Sequence, residues 1–187
     1  NITVQWCIIG EAILHPTDIT IGLGAGSLIE VANLSLHHNL FIHNKERNPN
    51  ASTRPQSAGF AIYFLSEQEP TYDVRNNVVY NWGRSGVQIG GISRANCVNN
   101  YFKSGLGTDL DTIYPVQLLS SSYEDFKHEL GAGLFIQGNL HPNFTFTDQW
   151  DLVLGSPSSL EDRHLTAYPA PTITQQSAQD AYQQVLD

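Results

Sequence analysis

A group of ionisable side chains lies in segment 34–49, LSLHHNLFIHNKERNP. Its apolar residues alternate as in a β-strand, and its histidines and basic residues are His37, His38, His43, Lys45 and Arg47. A surface strand does not need so many titratable groups, whereas imidazole and cationic groups held together can bind a ligand or move a proton. The segment therefore predicts a binding or catalytic surface.

This segment belongs to a degenerate repeat. Four short segments each place an asparagine between an extended run and a few strand-forming residues: Asn39, Asn77, Asn100 and Asn139. The spacings of 38, 23 and 39 residues indicate a solenoid in which some turns carry inserted loops. Short β runs without intervening helices predict an all-β parallel β-helix, with each asparagine in a left-handed turn conformation and stacked in a hydrogen-bonded ladder.

The motif HHNLFIHNKERNP resembles the HHN-L-F-x-H-x-x-x-R-x-P signature of the family 1 polysaccharide lyases, the pectate lyases. NITVQWCIIGEAI, YDVRNNVVYNWG and NCVNNYFKSG are similar to neighbouring coils of the family, so the resemblance covers most of residues 1–140. It implies a right-handed parallel β-helix that corresponds to the C-terminal portion of the family. It also implies calcium-dependent β-elimination on an acidic, plant-type uronate polysaccharide such as polygalacturonate.

The resemblance gives Arg47 the role of catalytic base. In the family an arginine removes the proton from C5 of the sugar, next to the carboxylate, while Ca²⁺ stabilises the developing charge. The pKa of arginine ordinarily exceeds about 12, so cationic surroundings and desolvation are needed for this role. A solvated loop arginine is the alternative.

The same resemblance implies metal ligands and substrate contacts. Glu11, with Asp18, is expected to bind Ca²⁺, although a plain turn carboxylate remains open for Glu11. Calcium takes 6–8 oxygen ligands, so further ligands must come from elsewhere. The residues expected to contact substrate are His15, His43, Lys45 and Arg54.

Other features weaken the inference of activity. Many relatives carry a second arginine where this chain has Asn50, and a lysine near the position of Thr17. Lys45, Arg54 and Arg84 compensate only if the loops bring them close. The second hypothesis is therefore a non-catalytic β-helix, a carbohydrate-binding or structural module of a larger extracellular assembly. His37 and His38, as strand neighbours, are expected to face opposite sides and to be structural.

Composition limits the partners. The formal net charge is -9, which excludes nucleic acid as a partner and requires a local basic cluster for any anionic sugar. Charged residues make up only 14%, which favours a secreted protein, and no apolar run is long enough for a membrane span. Cys7 and Cys97 both lie in apolar runs and are expected to be separate buried thiols.

The pattern divides the chain into β-helix coils over residues 1–164 and a linker with a C-terminal helix over 165–187. Strands are expected through Val4, Trp6 and Ile8 and over residues 60–65, and a loop insertion over 104–131. Ser177 is the expected helix N-cap, and the helix buries one face made of Ala178, Ala181, Tyr182 and Val185. A start directly inside a strand pattern suggests a portion of a longer product, whose open β-helix ends would stack on its own missing half or on another chain.

Overall fold

A computed structural model describes residues 2–12, 24–29, 31, 33–53, 70–91, 93–108, 114–119, 133–154 and 163–187. These residues form three parallel sheets, a 3₁₀ helix and one α-helix. The expected strand at residues 60–65 lies outside the described residues. In the described ranges, no helix combines the length and apolar character needed to cross a bilayer.

The first four described coils each contribute one strand to each sheet in turn, and the fifth contributes strands to sheets A and C. Sheet A contains, in spatial order, β1 (Ile2–Gln5), β4 (Asn33–His37), β7 (Thr71–Arg75), β10 (Arg94–Val98) and β13 (Gly133–Gln137). Sheet B contains β2 (Ile8–Gly10), β5 (Leu40–Ile42), β8 (Val78–Tyr80) and β11 (Tyr101–Lys103). Sheet C contains β3 (Leu28–Ile29), β6 (Asn50–Thr53), β9 (Val87–Gly91), β12 (Val116–Leu119) and β14 (Val153–Leu154). Crossovers between parallel strands are right-handed in nearly all proteins, and the predicted right-handed parallel β-helix is confirmed.

The core fills the inside of this solenoid. Alternate residues of each strand point inward, so equivalent positions of successive coils stack into apolar columns. In sheet A these columns contain Leu34, Leu36, Tyr72, Val74, Ala95, Cys97, Leu134 and Ile136. Sheets B and C add Phe41, Val79, Phe102, Ala51, Ile89 and Leu118 to the same cluster.

The predicted asparagine ladder is present at the corner between sheets A and B. The side-chain oxygen of Asn77 accepts hydrogen bonds from the backbone N–H and the amide of Asn39, both at 3.0 Å. Asn100 accepts from Asn77, and Asn139 from Asn100, in the same way. The ladder asparagines themselves are not left-handed, contrary to the prediction. The residue before each one takes that conformation: His38, Asn76, Asn99 and Gly138 have φ of 56°, 54°, 52° and 67°.

The first described coil differs from the sequence expectation. The chain turns sharply at Trp6, which has φ of 55°, so the strand predicted through Val4, Trp6 and Ile8 is two short strands with a corner between them. Cys7 follows this corner at the position of a ladder asparagine, where its N–H donates to Asn39 Oδ1 at 3.1 Å. Cys7 is exposed and only Cys97 is buried, because Cys7 lies in the outermost described coil.

The C-terminal helix α1 (Ala178–Leu186) packs on the outer face of sheet B. Ser177 is its N-cap and accepts a hydrogen bond from Asp180 N–H, as predicted. The expected apolar face is the one buried, against Val78 and Tyr101. A further difference concerns the predicted loop insertion over 104–131, which contains strand β12.

Candidate functional site

A second corner follows each strand of sheet B. Glu11, His43 and Asn81 lie at equivalent positions of three successive coils, with φ of 54°, 57° and 52°. The N–H group of each donates to the carbonyl of the last residue of the sheet B strand in the next coil, so the corners stack. This stacking places His43 Nδ1 3.7 Å from Glu11 Oε1, with both side chains open to solvent. The predicted metal ligand and a predicted substrate contact are therefore neighbours.

Buried asparagines hold the turn that follows this corner. Asn44 donates to Ile9 O and to Asn48 Oδ1, both at 2.9 Å, and accepts from Ala12 N–H at 3.1 Å. Asn48 donates to Ser85 O at 3.1 Å. Three successive coils are thereby tied together on either side of residues 45–47, which fixes the backbone that carries the candidate base.

Arg47 shares a buried carboxylate with Arg84 of the next coil. Arg47 Nε lies 3.7 Å from Glu46 Oε1, and Arg84 Nη1 lies 3.3 Å from Glu46 Oε2. The Glu46 side chain is 9% exposed, that of Arg47 26% and that of Arg84 69%. The pairing brings two guanidinium groups from different coils to one acid.

Lys45 lies beside the same pair of coils. Its carbonyl accepts hydrogen bonds from the N–H groups of Arg84 and Ser85. A Cβ on Gly83 would come within 3.1 Å of Lys45 Cα, so the absence of a side chain at Gly83 permits this close approach. The chain thus brings two guanidinium groups to one buried acid, with the backbone of Lys45 beside them, although its net charge is -9. Such a surplus of positive charge attracts an anion.

A row of amides lies on the outer side of sheet C, next to this cluster. Asn50 donates to Gln88 at 3.3 Å, and Gln88 donates to Gln117 at 2.8 Å. Asn50, at the position noted above for a second arginine in relatives, is 5% exposed and is the first member of this row. Asn50 therefore has a structural role here, and the nearby cation Arg84 comes from the adjacent coil.

Sequence reasoning missed Glu46 and this amide row. Asn50 and Gln88 are 38 residues apart, the spacing that also separates the ladder residues Asn39 and Asn77. Glu46 and Arg84 share this spacing. Adding the 38-residue ladder interval to Glu46 and Asn50 would have found Arg84 and Gln88, whereas Gln117 lies 29 residues beyond Gln88 and would have been missed.

The described residues do not by themselves make a calcium site. Three predicted site residues, His15, Asp18 and Arg54, lie outside the described residues. In the described part of the chain, no three His, Cys, Asp or Glu side chains converge as metal ligands do. Glu11 offers one exposed carboxylate, far fewer oxygens than Ca²⁺ requires.

Comparison with known proteins gives several sequence matches. The chain is 36% identical over 115 residues to the probable pectate lyase C of Aspergillus terreus, 35% over 115 residues to that of Neosartorya fischeri and 33% over 111 residues to that of Emericella nidulans. Each match covers 59% of this chain but only 21–22% of the relative, so the chain spans about a fifth of the length of these proteins. No family model matches the chain. Among solved structures, the pectate lyase Bsp165PelA from Bacillus sp. N165, crystallised with trigalacturonate, aligns with a TM-score of 0.49 and 16% identity over 98% of this chain and 47% of that one.

Proposed function

We propose that this pectate lyase-like chain carries the catalytic base of an extracellular enzyme that cleaves polygalacturonate, an acidic plant-type polysaccharide, by calcium-assisted β-elimination. The observation that carries the proposal is the cation cluster around Glu46, in the segment that matches the family's arginine motif. A carboxylate-bearing sugar is the anion that fits it. Arg47 is partly exposed within this cluster, as a group that must reach substrate.

In the proposed reaction Arg47 acts as a neutral guanidine and takes the proton from C5 of a uronate. The electrons of the C5–H bond form a C4=C5 double bond while the C4–O bond breaks. The leaving oxygen takes a proton from water, and the hydroxide formed in this way takes the added proton back from Arg47. Arg84 and Lys45 neutralise the carboxylate on C5, which stabilises the negative charge that develops as the proton leaves. His43 lies at the corner that precedes Arg47 in the same coil, and we expect it to contact a neighbouring sugar.

The proposed role of calcium rests on the family resemblance and on the exposed carboxylate of Glu11. Bound calcium would supply charge stabilisation at the substrate carboxylate. Glu11 would hold it together with Asp18 and with oxygens beyond the described residues. Arg54 and His15 remain proposed substrate contacts because the family resemblance implies these roles.

The experiment measures the ultraviolet absorbance of the 4,5-unsaturated product during incubation with polygalacturonate and, separately, with its methyl ester. It uses the longest available form of the protein, with added calcium and then with a chelator. The proposal expects product from polygalacturonate that the chelator abolishes. A folded protein that forms no unsaturated product from either polymer contradicts it.

The alternative, a non-catalytic β-helix module, is favoured by one observation. Strands β1, β2 and β3 each lie at the edge of a sheet, and Ile2, Trp6 and Ile8 on this side are 46%, 53% and 78% exposed. Exposed strand edges and apolar side chains are typical of a surface that pairs with a further coil. Sedimentation analysis distinguishes the two hypotheses. A protein that lacks lyase activity, self-associates, and no longer associates in the Ile8→Lys variant supports the non-catalytic module.

A further inference from the structure

Glu46 is a buried acid whose backbone is fixed from the neighbouring coil. Its N–H donates to Gly24 O at 3.3 Å, and its carbonyl accepts from Gly26 N–H at 3.0 Å. The residue as a whole is 7% exposed. A buried carboxylate is costly unless it is paired, so its position dictates where its cationic partners come to rest.

The backbone at Arg47 explains how the first partner reaches Glu46. Consecutive residues of a strand project to opposite sides, but Arg47 has φ of 62°, in the left-handed region. This bend turns the Arg47 side chain back toward the preceding residue. The Arg47 atom that the ion pair joins to Glu46 Oε1 is Nε, at 3.7 Å.

The second partner comes from 38 residues further along the chain. Arg84 uses a terminal nitrogen to reach the other oxygen of Glu46. Its side chain is 69% exposed, and an unpaired arginine with that exposure samples many rotamers. The two oxygens of one fixed acid therefore set the separation of two guanidinium groups from different coils.

We propose that Glu46 is a positioning residue that holds Arg47 and Arg84 for their separate tasks, proton removal and carboxylate binding, while the charge of Arg84 offsets that of Glu46 beside the base. The inference rests on the proposed function. The negative charge of Glu46 is essential because an amide of the same shape cannot pair with two guanidinium groups.

The test compares wild type with Glu46→Gln, Glu46→Asp and the control Asp187→Asn, which removes an exposed acid at the chain's far end. In Glu46→Gln we expect kcat on polygalacturonate to fall about 10- to 100-fold, because a displacement of a base by about 1 Å has effects of that size. We also expect KM to rise through the loss of Arg84 placement, and Glu46→Asp to recover part of kcat. Melting curves verify that each variant is folded.

A second measurement does not depend on activity. In ¹H–¹⁵N spectra, the Nε–H signal of Arg47, assigned with Arg47→Lys, is expected to show a heteronuclear NOE typical of a fixed side chain in wild type and of a mobile one in Glu46→Gln. An unchanged NOE in the folded variant, or unchanged kcat in an active enzyme, overturns the inference alone. A wild type that lacks lyase activity overturns the proposed function, and the NOE then still decides whether Glu46 holds Arg47.

Discussion

The Nδ1 atoms of His37 and His38 lie 2.9 Å apart, although adjacent strand residues were expected to face opposite sides. The left-handed conformation of His38 turns its ring onto that of His37 and stacks it on Trp6. On its other side, His38 Nε2 lies 2.8 Å from Gln176 Oε1, and the Gln176 backbone is bound by Asn76 and Asn99. The two histidines therefore connect sheet A to the segment that leads into helix α1, which agrees with the structural role expected for them.

Because His37 is buried in this pair, we expect the free energy of unfolding to fall in mild acid. Burial, together with His38 and Arg75, lowers the pKa of His37 below its ordinary 6.5, and Asp73 opposes this shift. The unfolded chain then binds more protons than the folded one, so the free energy of unfolding falls as pH drops from about 6.5 through the lowered pKa. Urea unfolding at several pH values should show a shallower pH dependence for His37→Asn than for wild type.

His141 contributes to the same pH dependence in both proteins. Burial lowers the pKa of His141 too, so it adds a slope of the same sign. Because His141 is present in both proteins, the difference in slope isolates His37. Equal slopes for wild type and His37→Asn would show that the histidine pair does not couple folding to pH.

The asparagine ladder predicts a large effect for one truncation. Asn77 is fully buried, accepts two hydrogen bonds from Asn39 and donates to Leu36 O at 2.9 Å. Asn77→Ala leaves buried backbone groups unpaired, so we expect the free energy of unfolding to fall by at least about 2 kcal/mol. Denaturant unfolding measures this, with the exposed Asn143→Ala as a control that changes stability by less than about 0.5 kcal/mol. Similar values for the two variants would contradict a stabilising ladder.

The two cysteines predict different thiol reactivity. Burial raises the pKa of Cys97 to about 12, while Cys7 is exposed. Because the thiolate is the reactive form, an aromatic disulfide reagent should label one thiol in the folded protein and two after denaturation. Cys7→Ser should show no rapid labelling when folded. Rapid labelling of Cys7→Ser would mean that the coil around Cys97 opens readily.

Arg84 is expected to act on substrate affinity. Arg84→Ala removes one cation from the cluster and should raise KM for polygalacturonate by about 10-fold, the effect of losing a charge-assisted contact of about 1.4 kcal/mol. Arg84→Lys keeps the charge, so its KM should lie between those of wild type and Arg84→Ala. An unchanged KM in Arg84→Ala would mean that the carboxylate binds elsewhere.

Sequence patterns predicted the parts of this fold that repeat locally. The ladder asparagines, the coil spacing and the Ser177 cap depend on residue types at fixed offsets, and the structure contains all three. The corner conformations were assigned one residue late, because either Asn or its predecessor can take the left-handed turn. The pairing of Glu46 with Arg84 depends on which residues of successive coils become neighbours. The motif alone does not give this, and the 38-residue interval of the ladder has to be applied to it.

The role of Arg47 is tested most directly by comparing lyase rates of wild type, Arg47→Ala and Arg47→Lys. The rate is the appearance of unsaturated product from polygalacturonate with calcium present. We expect both variants to remain folded and Arg47→Ala to lose at least about 1,000-fold in kcat. We expect Arg47→Lys to recover little, because a lysine does not reproduce the guanidinium geometry. An Arg47→Ala protein that retains the rate of an active wild type would contradict the assignment of Arg47 as the base.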